Sequence, residues 1–270
     1  MLYLTRKVEF EASHRYALPD LSEEENRRLF GKCYGVYGHG HNYVCWATVG
    51  GEIDPETGEV MDIKALDTLL KRVVGEFDHT FINLQHPTFH DRNPTLENLS
   101  RYLWERIIPE LPEGVILSQI RLDEEPTFYA EYTGTGGMVY LTKIFMFSAA
   151  HRLHHPDLSD AENETLYGKC NNPHGHGHNY QLEVTVRGEV DEQTGMSLDL
   201  GEMERVVEEE VIDRFDHHHL NEEVEEFREV NPTSEHVVKV IWDLLKPRLP
   251  GLSRVALWET PKSRFEYHGT

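Results

Sequence analysis

Two stretches of this chain carry the same set of reactive side chains. Residues 31–43 read GKCYGVYGHGHNY and residues 168–180 read GKCNNPHGHGHNY. In each, a cysteine (Cys33, Cys170) lies six residues before the first histidine of a His-Gly-His (His39 and His41; His176 and His178). Each is preceded by a further histidine in a similar setting, Ser13-His14-Arg15 and Ala150-His151-Arg152, and followed by Phe-Asp-His (Asp78-His79, Asp216-His217). Residues i and i+2 of a strand face the same side, so each His-Gly-His aims two imidazoles at one point, with only a glycine between them. A third imidazole from a neighbouring strand, His14 or His151, gives three neutral nitrogens and an open fourth position. That is the donor set of a catalytic zinc rather than a structural one.

A lone His-x-His is weak evidence; its recurrence with the same companions is what makes it a metal motif. His86, His90, His154, His155, His174, His218, His219, His236 and His268 lack such two-fold support and read as surface residues. Cys33 and Cys170 have two open roles. As fourth ligands they would seal the site; as thiolates beside a cation they would serve as bases. The Asp-His pairs read as histidines aimed at a substrate oxygen with a carboxylate nearby, although adjacent residues rarely touch and Asp78 could simply cap a loop. Cys45 has no counterpart at Leu182 and reads as strand packing.

The elements that must hold these residues repeat as well. His14 and His151, Cys33 and Cys170, and His39 and His176 are each 137 residues apart. The interval becomes 138 at Asp78/Asp216 and 135 at Glu124/Glu259, which implies one insertion and one deletion in surface loops. The glycine-rich run at 132–137 is the natural joint, giving domains at 1–134 and 138–270. In the first, period-two apolar patterning predicts strands over 2–12, 41–50, 115–123 and 127–132. A helical stripe runs from the Asp62 N-cap through Ile63, Leu66, Leu70 and Val73, and a second helix follows Asn93-Pro94-Thr95. The second half repeats the order, with strands near 139–149, 178–188, 253–259 and 263–268 and helices at 199–214 and 233–246. Each half is thus β-β-α-α-β-β, an α+β unit with a four-stranded antiparallel sheet and two helices on one face. Such a sheet has two open edges, and edge-to-edge association into a barrel is the expected remedy.

Hydrophobic residues make up 39% of the 270, enough for two modest cores. No run approaches the ~20 apolar residues of a membrane span, and Met1 is not followed by a basic-then-apolar leader. A cytoplasmic protein is expected. Three cysteines form no disulfide framework and suit a reducing compartment. Forty-eight acidic against twenty-six basic residues give a formal charge of −22, a field that repels nucleic acid.

The chain resembles the 6-pyruvoyl-tetrahydropterin synthase family, which includes the bacterial 6-carboxytetrahydropterin synthases. The resemblance covers nearly all of both halves. It rests on Phe10-Glu11-Ala12-Ser13-His14-Arg15, the two Cys-x5-His-Gly-His-Asn-Tyr runs, Gly51-Glu52-Ile53-Asp54-Pro55-x-Thr57-Gly58, Phe77-Asp78-His79 and Asn93-Pro94-Thr95-x-Glu97. It implies tandem tunnelling folds (T-folds), active sites between subunits, and 7,8-dihydroneopterin triphosphate as substrate. It implies zinc on His14, His39 and His41 and again on His151, His176 and His178, two ions per chain. Cys33 and Cys170 match the family's thiolate base, working with Asp78-His79 and Asp216-His217. Glu124 and Glu259 match the carboxylate that grips the pterin's guanidine-like edge. Thr95 with Glu97, and Thr233 with Glu235, lie where the family holds the pterin. The first half departs in having Asp123-Glu124-Glu125-Pro126 where the second has Trp258-Glu259-Thr260-Pro261, so Glu125 competes with Glu124 for that role.

Five residues between cysteine and histidine resemble the pyruvoyl enzymes, which eliminate triphosphate to give 6-pyruvoyl-tetrahydropterin. Asn231-Pro232-Thr233-Ser234-Glu235 resembles the carboxy enzymes of the queuosine pathway, which release acetaldehyde. The expected function is the pyruvoyl lyase with two competent sites, and the carboxy reaction is the alternative. Other T-fold activities (a dihydroneopterin aldolase, a purine oxidase) do not need three histidines. A non-catalytic tandem zinc module leaves Glu124, Glu259 and the Asp-His pairs without purpose. The expected assembly is a homo-oligomer, a trimer of two-domain chains stacking two rings, with a barrel of four T-folds from two chains as its competitor.

Overall fold

The computed structural model describes residues 1–270. The chain divides into two compact units, Met1–Leu141 with Arg187–Leu198, and Thr142–Val186 with Asp199–Thr270. The elements of the first half are β1 (Leu2–His14), α1 (Glu23–Phe30), β2 (His39–Gly51), α2 (Ile63–Val74), β3 (Thr80–Phe81), α3 (Ile82–Gln85), α4 (Leu96–Ile107), β4 (Ile116–Glu125) and β5 (Phe128–Tyr132). Those of the second are β6 (Met138–His151), α5 (Asp160–Tyr167), β7 (His176–Glu189), α6 (Leu200–Val207), α7 (Asp213–Phe215), β8 (His218–His219), α8 (Leu220–Glu223), α9 (Ser234–Leu245), β9 (Leu252–Thr260) and β10 (Ser263–Tyr267). Both halves are tandem T-folds of the α+β class.

In the first half the strands run in the order β5-β4-β2-β1-β3, antiparallel except for the short parallel bridge from β1 to β3. Val8, Phe10 and Ala12 of β1 and Tyr43, Cys45, Ala47 and Val49 of β2 are buried in strict alternation. Leu66, Leu70 and Val73 of α2, which packs on β1, are buried, as are Leu99, Leu103 and Ile107 of α4, which packs on β4 and β5. Cys45 is completely buried, as strand packing requires. Asp62 caps α2, its carboxylate accepting from the Lys64 N–H at 2.8 Å, and Thr95 caps α4 through the Asn98 N–H at 3.2 Å. In the second half the order is β10-β9-β7-β6, with β8 paired to β6.

Besides the short β3, α3, β8 and α8, three features depart from the sequence reading. Helices α1 and α5 precede the cysteines, each opened by a capping box, Ser22 with Glu25 and Ser159 with Glu162. The one-residue insertion lies inside a helix: Glu208–Ile212 form a π-turn between α6 and α7, absorbing the extra residue without displacing buried Val207 or Phe215. And His86 is a core residue, 7% exposed, packed against Phe77 at 4.8 Å between ring centroids.

Candidate active site

His14 ends β1 directly opposite His39 at the start of β2, and His41 follows two residues on. Pairing and period two therefore put all three rings on one face. The Nε2 atoms of His14 and His39 lie 3.1 Å apart, and those of His151 and His176 lie 3.2 Å apart. His14, His39 and His41 form one cluster of possible ligand atoms, and His151, His176 and His178 form another, each within 4.8 Å. His14 and His151 are buried to 0% and 1% exposure.

The tautomers are set from behind. His14 Nδ1–H donates to the Pro94 carbonyl (3.2 Å) and lies 3.1 Å from the Tyr43 hydroxyl, which in turn donates to Glu124 Oε1 (3.3 Å). His151 Nδ1–H donates to the Pro232 carbonyl at 2.8 Å. With the proton held on Nδ1, Nε2 carries a lone pair turned toward the other two rings. Burial, reinforced by the neighbouring imidazoles, pushes His14 down to about 3. Burial likewise pushes His151 down to about 4. His41 Nε2 and His178 Nε2 are buried with no hydrogen-bond partner. Converging lone pairs without a proton among them repel one another, and a carboxylate beside them adds to the repulsion. Glu124 Oε1 is 3.3 Å from His14 Nε2 and 3.5 Å from His41 Nε2. A cation at the focus turns each of these repulsions into an attraction, so the donors present fit a divalent metal that prefers nitrogen.

Cys33 closes a short 3₁₀ turn after α1 and Cys170 lies within the matching turn after α5, which ends at Asn171; neither is in a disulfide. Their carbonyls accept from the Tyr16 and Leu153 N–H groups, both at 2.9 Å, which ties each turn to the end of the strand bearing His14 or His151. Both thiols stand outside the three-histidine clusters.

Contrary to expectation, the Asp-His pairs are in direct contact. His79 Nδ1 lies 3.0 Å from Asp78 Oδ1, and His217 Nδ1 lies 2.7 Å from Asp216 Oδ2. The contact is possible because His79 and His217 adopt the left-handed region, with φ of 55° and 61°. Backbone bonds hold that turn: His79 N–H to the Glu11 carbonyl (2.6 Å) and His217 N–H to that of Ser148 (2.6 Å). Hydrogen bonding to Asp78, with its charge and that of Glu11, raises His79 above the ordinary histidine value. The Glu11 N–H, then His79, holds Asp78 below the ordinary carboxylate value. His79 shares a groove with His41, and His217 one with His178.

The two carboxylates at the ends of β4 and β9 are held differently. Glu124 is buried beside Tyr43, whereas Glu125 is exposed, so Glu124 is the one facing the imidazoles. Glu259 stands further off, 3.8 Å from His151 and 3.7 Å from His178, held by the Ser234 hydroxyl at 2.8 Å. It lines a groove with His178, Trp258 and Met146. The sequence reading named Ser234 only as part of the 231–235 segment and not as the partner of Glu259; its first-half counterpart is Leu96. Tyr43 and Tyr180 were also missed as site residues, although they close the repeated motif. Thr95 and Glu97 are engaged by the turn at 194–197, whereas Glu235 is exposed.

The family model for 6-pyruvoyl tetrahydropterin synthase matches residues 3–135 and again 140–270. The chain belongs to this family and carries its domain twice. It is 47% identical over 137 residues to the 6-pyruvoyl tetrahydrobiopterin synthase of Drosophila melanogaster, a match spanning 49% of this chain and 80% of that one. It is 31% identical over 149 residues to the 6-carboxy-5,6,7,8-tetrahydropterin synthase of Rickettsia bellii, spanning 48% and 99%. The Caenorhabditis elegans 6-pyruvoyl tetrahydropterin synthase structure aligns with 43% identity and a TM-score of 0.48, over 49% of this chain and 96% of that one. No helix is long and apolar enough to cross a membrane.

Proposed function

We propose that this chain is a zinc-dependent carbon–oxygen lyase that eliminates triphosphate from 7,8-dihydroneopterin triphosphate to give 6-pyruvoyl-tetrahydropterin, with one site in each repeat. The observation that carries the proposal is the pair of three-histidine clusters, each with Nε2 lone pairs converging behind a backbone-fixed Nδ1 proton. His14, His39 and His41, and His151, His176 and His178, would hold the zinc. When bound there it supplies Lewis acidity that makes the C–H bonds beside the substrate's side-chain hydroxyls more acidic.

The protein's own residues do the rest. Cys33 and Cys170, outside the ligand clusters, serve as the thiolates that take the proton. His79 and His217, each oriented by the aspartate before it, donate to or accept from the substrate side chain across the shared groove. Glu124 and Glu259 receive the two N–H groups of the pterin edge as a bidentate pair. Thr95 and Glu97, Thr233 and Glu235 belong to the segments whose Pro94 and Pro232 carbonyls fix the histidine tautomers, and these segments form the wall against which the pterin is held.

Incubation with 7,8-dihydroneopterin triphosphate, with and without a chelator, tests the proposal. Mass spectrometry of the pterin should show the 6-pyruvoyl product and released triphosphate, abolished by chelation and restored by zinc. Release of acetaldehyde would instead establish the carboxy reaction, which the Asn-Pro-Thr-Ser-Glu segment and the Rickettsia relative favour. Bound zinc without turnover would leave a metal-binding module.

A further inference from the structure

Within the first compact unit, the segment Asn93–Glu97 is clasped by a turn at 191–197. Asn93 Nδ2 donates to the Thr194 carbonyl (3.0 Å) and Thr95 Oγ1 to the Gly195 carbonyl (2.6 Å). The Ser197 N–H and hydroxyl both donate to Glu97 Oε1, at 2.7 and 2.9 Å. Glu97 is left 4% exposed. The fit admits no side chain at Gly195, where a Cβ would lie 2.4 Å from Asn98 Nδ2.

Both halves of this clasp occur a second time in the chain. The turn at 54–60 repeats the one at 191–197. Asp54 N–H reaches the Glu59 carbonyl (2.9 Å) and Gly58 N–H the Asp54 carbonyl (2.8 Å), as Asp191 N–H reaches Met196 (2.9 Å) and Gly195 N–H reaches Asp191 (2.8 Å). The aspartate carboxylate caps the next N–H groups in both turns, and φ is 75° at Gly58 and 79° at Gly195. Yet residues 52–59 are exposed, and nothing lies within 4 Å of a Cβ built on Gly58. The receiving segment recurs as Asn231-Pro232-Thr233-Ser234-Glu235, differing from Asn93–Glu97 only at Ser234. Its Glu235 is exposed and carries no hydrogen bond or ion pair.

We propose that the turn at 54–60 of one chain clasps the segment 231–235 of a second copy of this chain. By the pattern already formed in the first unit, Asn231 donates to the Thr57 carbonyl, Thr233 to the Gly58 carbonyl, and the Val60 N–H to Glu235. Val60 lacks the hydroxyl of Ser197, so Glu235 receives one bond where Glu97 receives two. Each chain offers one open turn and one open segment, and copies joined head to tail fill all of them once the ring closes. The clasp also completes a site. Segment 231–235 carries the Pro232 carbonyl that fixes the His151 tautomer and the Ser234 hydroxyl that holds Glu259. The partner copy therefore braces the second site as residues 191–197 brace the first. This holds whatever reaction the sites carry out.

Native mass spectrometry at micromolar concentration should give more than one chain, and a lone chain overturns the proposal. Val60→Cys and Glu235→Cys, made in separate chains, mixed and oxidised, should give a two-chain band on non-reducing gels that neither variant gives alone. Hydrogen exchange on the unaltered protein provides a check that needs no substitution. Amides 231–236 should be protected to the same degree as 93–98, and exchange at the rate of exposed chain refutes the clasp.

Discussion

Each imidazole of a triad contributes one of only three nitrogens, so its loss leaves a two-ligand site whose affinity falls by orders of magnitude. His41→Ala or His178→Ala should lower bound zinc from two ions per chain to one, and the double variant to none, as measured by elemental analysis after dialysis. A unit value for the unaltered protein would show that one cluster is not a zinc site. The Asp-His contact makes a second prediction at this scale. The hydrogen bond His79 donates to Asp78, then the Asp78 and Glu11 charges, favours the protonated form of His79. Asp78→Asn removes the charge and leaves at most a neutral acceptor, so the His79 pKa should fall toward its ordinary value of about 6.5. Glu11 is the acidic group still facing the ring, 3.8 Å away. An NMR titration of the His79 ring reads the shift directly, and an unmoved or raised value would mean that the carboxylate is not what sustains the imidazolium.

At the scale of elements, Glu76 joins the end of α2 to α4. It accepts from Arg106 (2.8 Å) and Tyr102, with His86 at 3.5 Å. Burial works to raise its carboxyl, but the bonds from Arg106, Tyr102 and His86 outweigh this and hold it below the ordinary value. A depressed folded-state pKa stabilises the fold above the unfolded value of about 4.3, and the contribution is lost as pH falls through the lower folded value. Glu76→Gln should therefore cost about 1–2 kcal/mol at neutral pH, the worth of a half-buried charged hydrogen bond. The deficit against the unaltered protein should shrink below pH 4 in urea unfolding. A pH-independent deficit would point to lost packing instead. His86, which closes this cluster, shows where the sequence was opaque. Nothing in its adjacent residues distinguishes a core histidine from a surface one, because burial is decided by Phe77 beyond the end of α2 and by Tyr102 of α4, which close over the ring. The three-histidine clusters were legible for the opposite reason: period two fixes the side-chain direction within each His-Gly-His from local sequence alone. Between these lie α1 and α5, whose Ser-x-x-Glu boxes were readable but whose weak apolar stripe hid them. The π-turn at 208–212 belongs with His86. Whether an extra residue enters a loop or a helix depends on the buried Val207 and Phe215 on either side, which packing holds in place.

Over the whole molecule the consequence is that duplication has produced two sites of the same plan and unequal detail. Leu96 offers no hydroxyl where Ser234 does, so Glu124 is drawn among Tyr43, His14 and His41, with its side chain 9% exposed. Glu259, held by Ser234, keeps 23% exposure and a groove in front of it. A carboxylate already committed to buried partners must break those bonds before it can grip a ligand, whereas one held at the rim by a single hydroxyl is arranged in advance. The second site should therefore carry the larger share of turnover. Cys170→Ala should remove more than half of kcat and Cys33→Ala less than half. The double variant should lose at least about 100-fold, the usual worth of a positioned base. Both single variants should retain two zinc ions, since neither thiol belongs to a histidine cluster. Ser234→Ala should raise KM in a Cys33→Ala background, where only the second site turns over. A Cys33→Ala protein weaker than Cys170→Ala would reverse the ranking and make the buried carboxylate of the first repeat the better anchor.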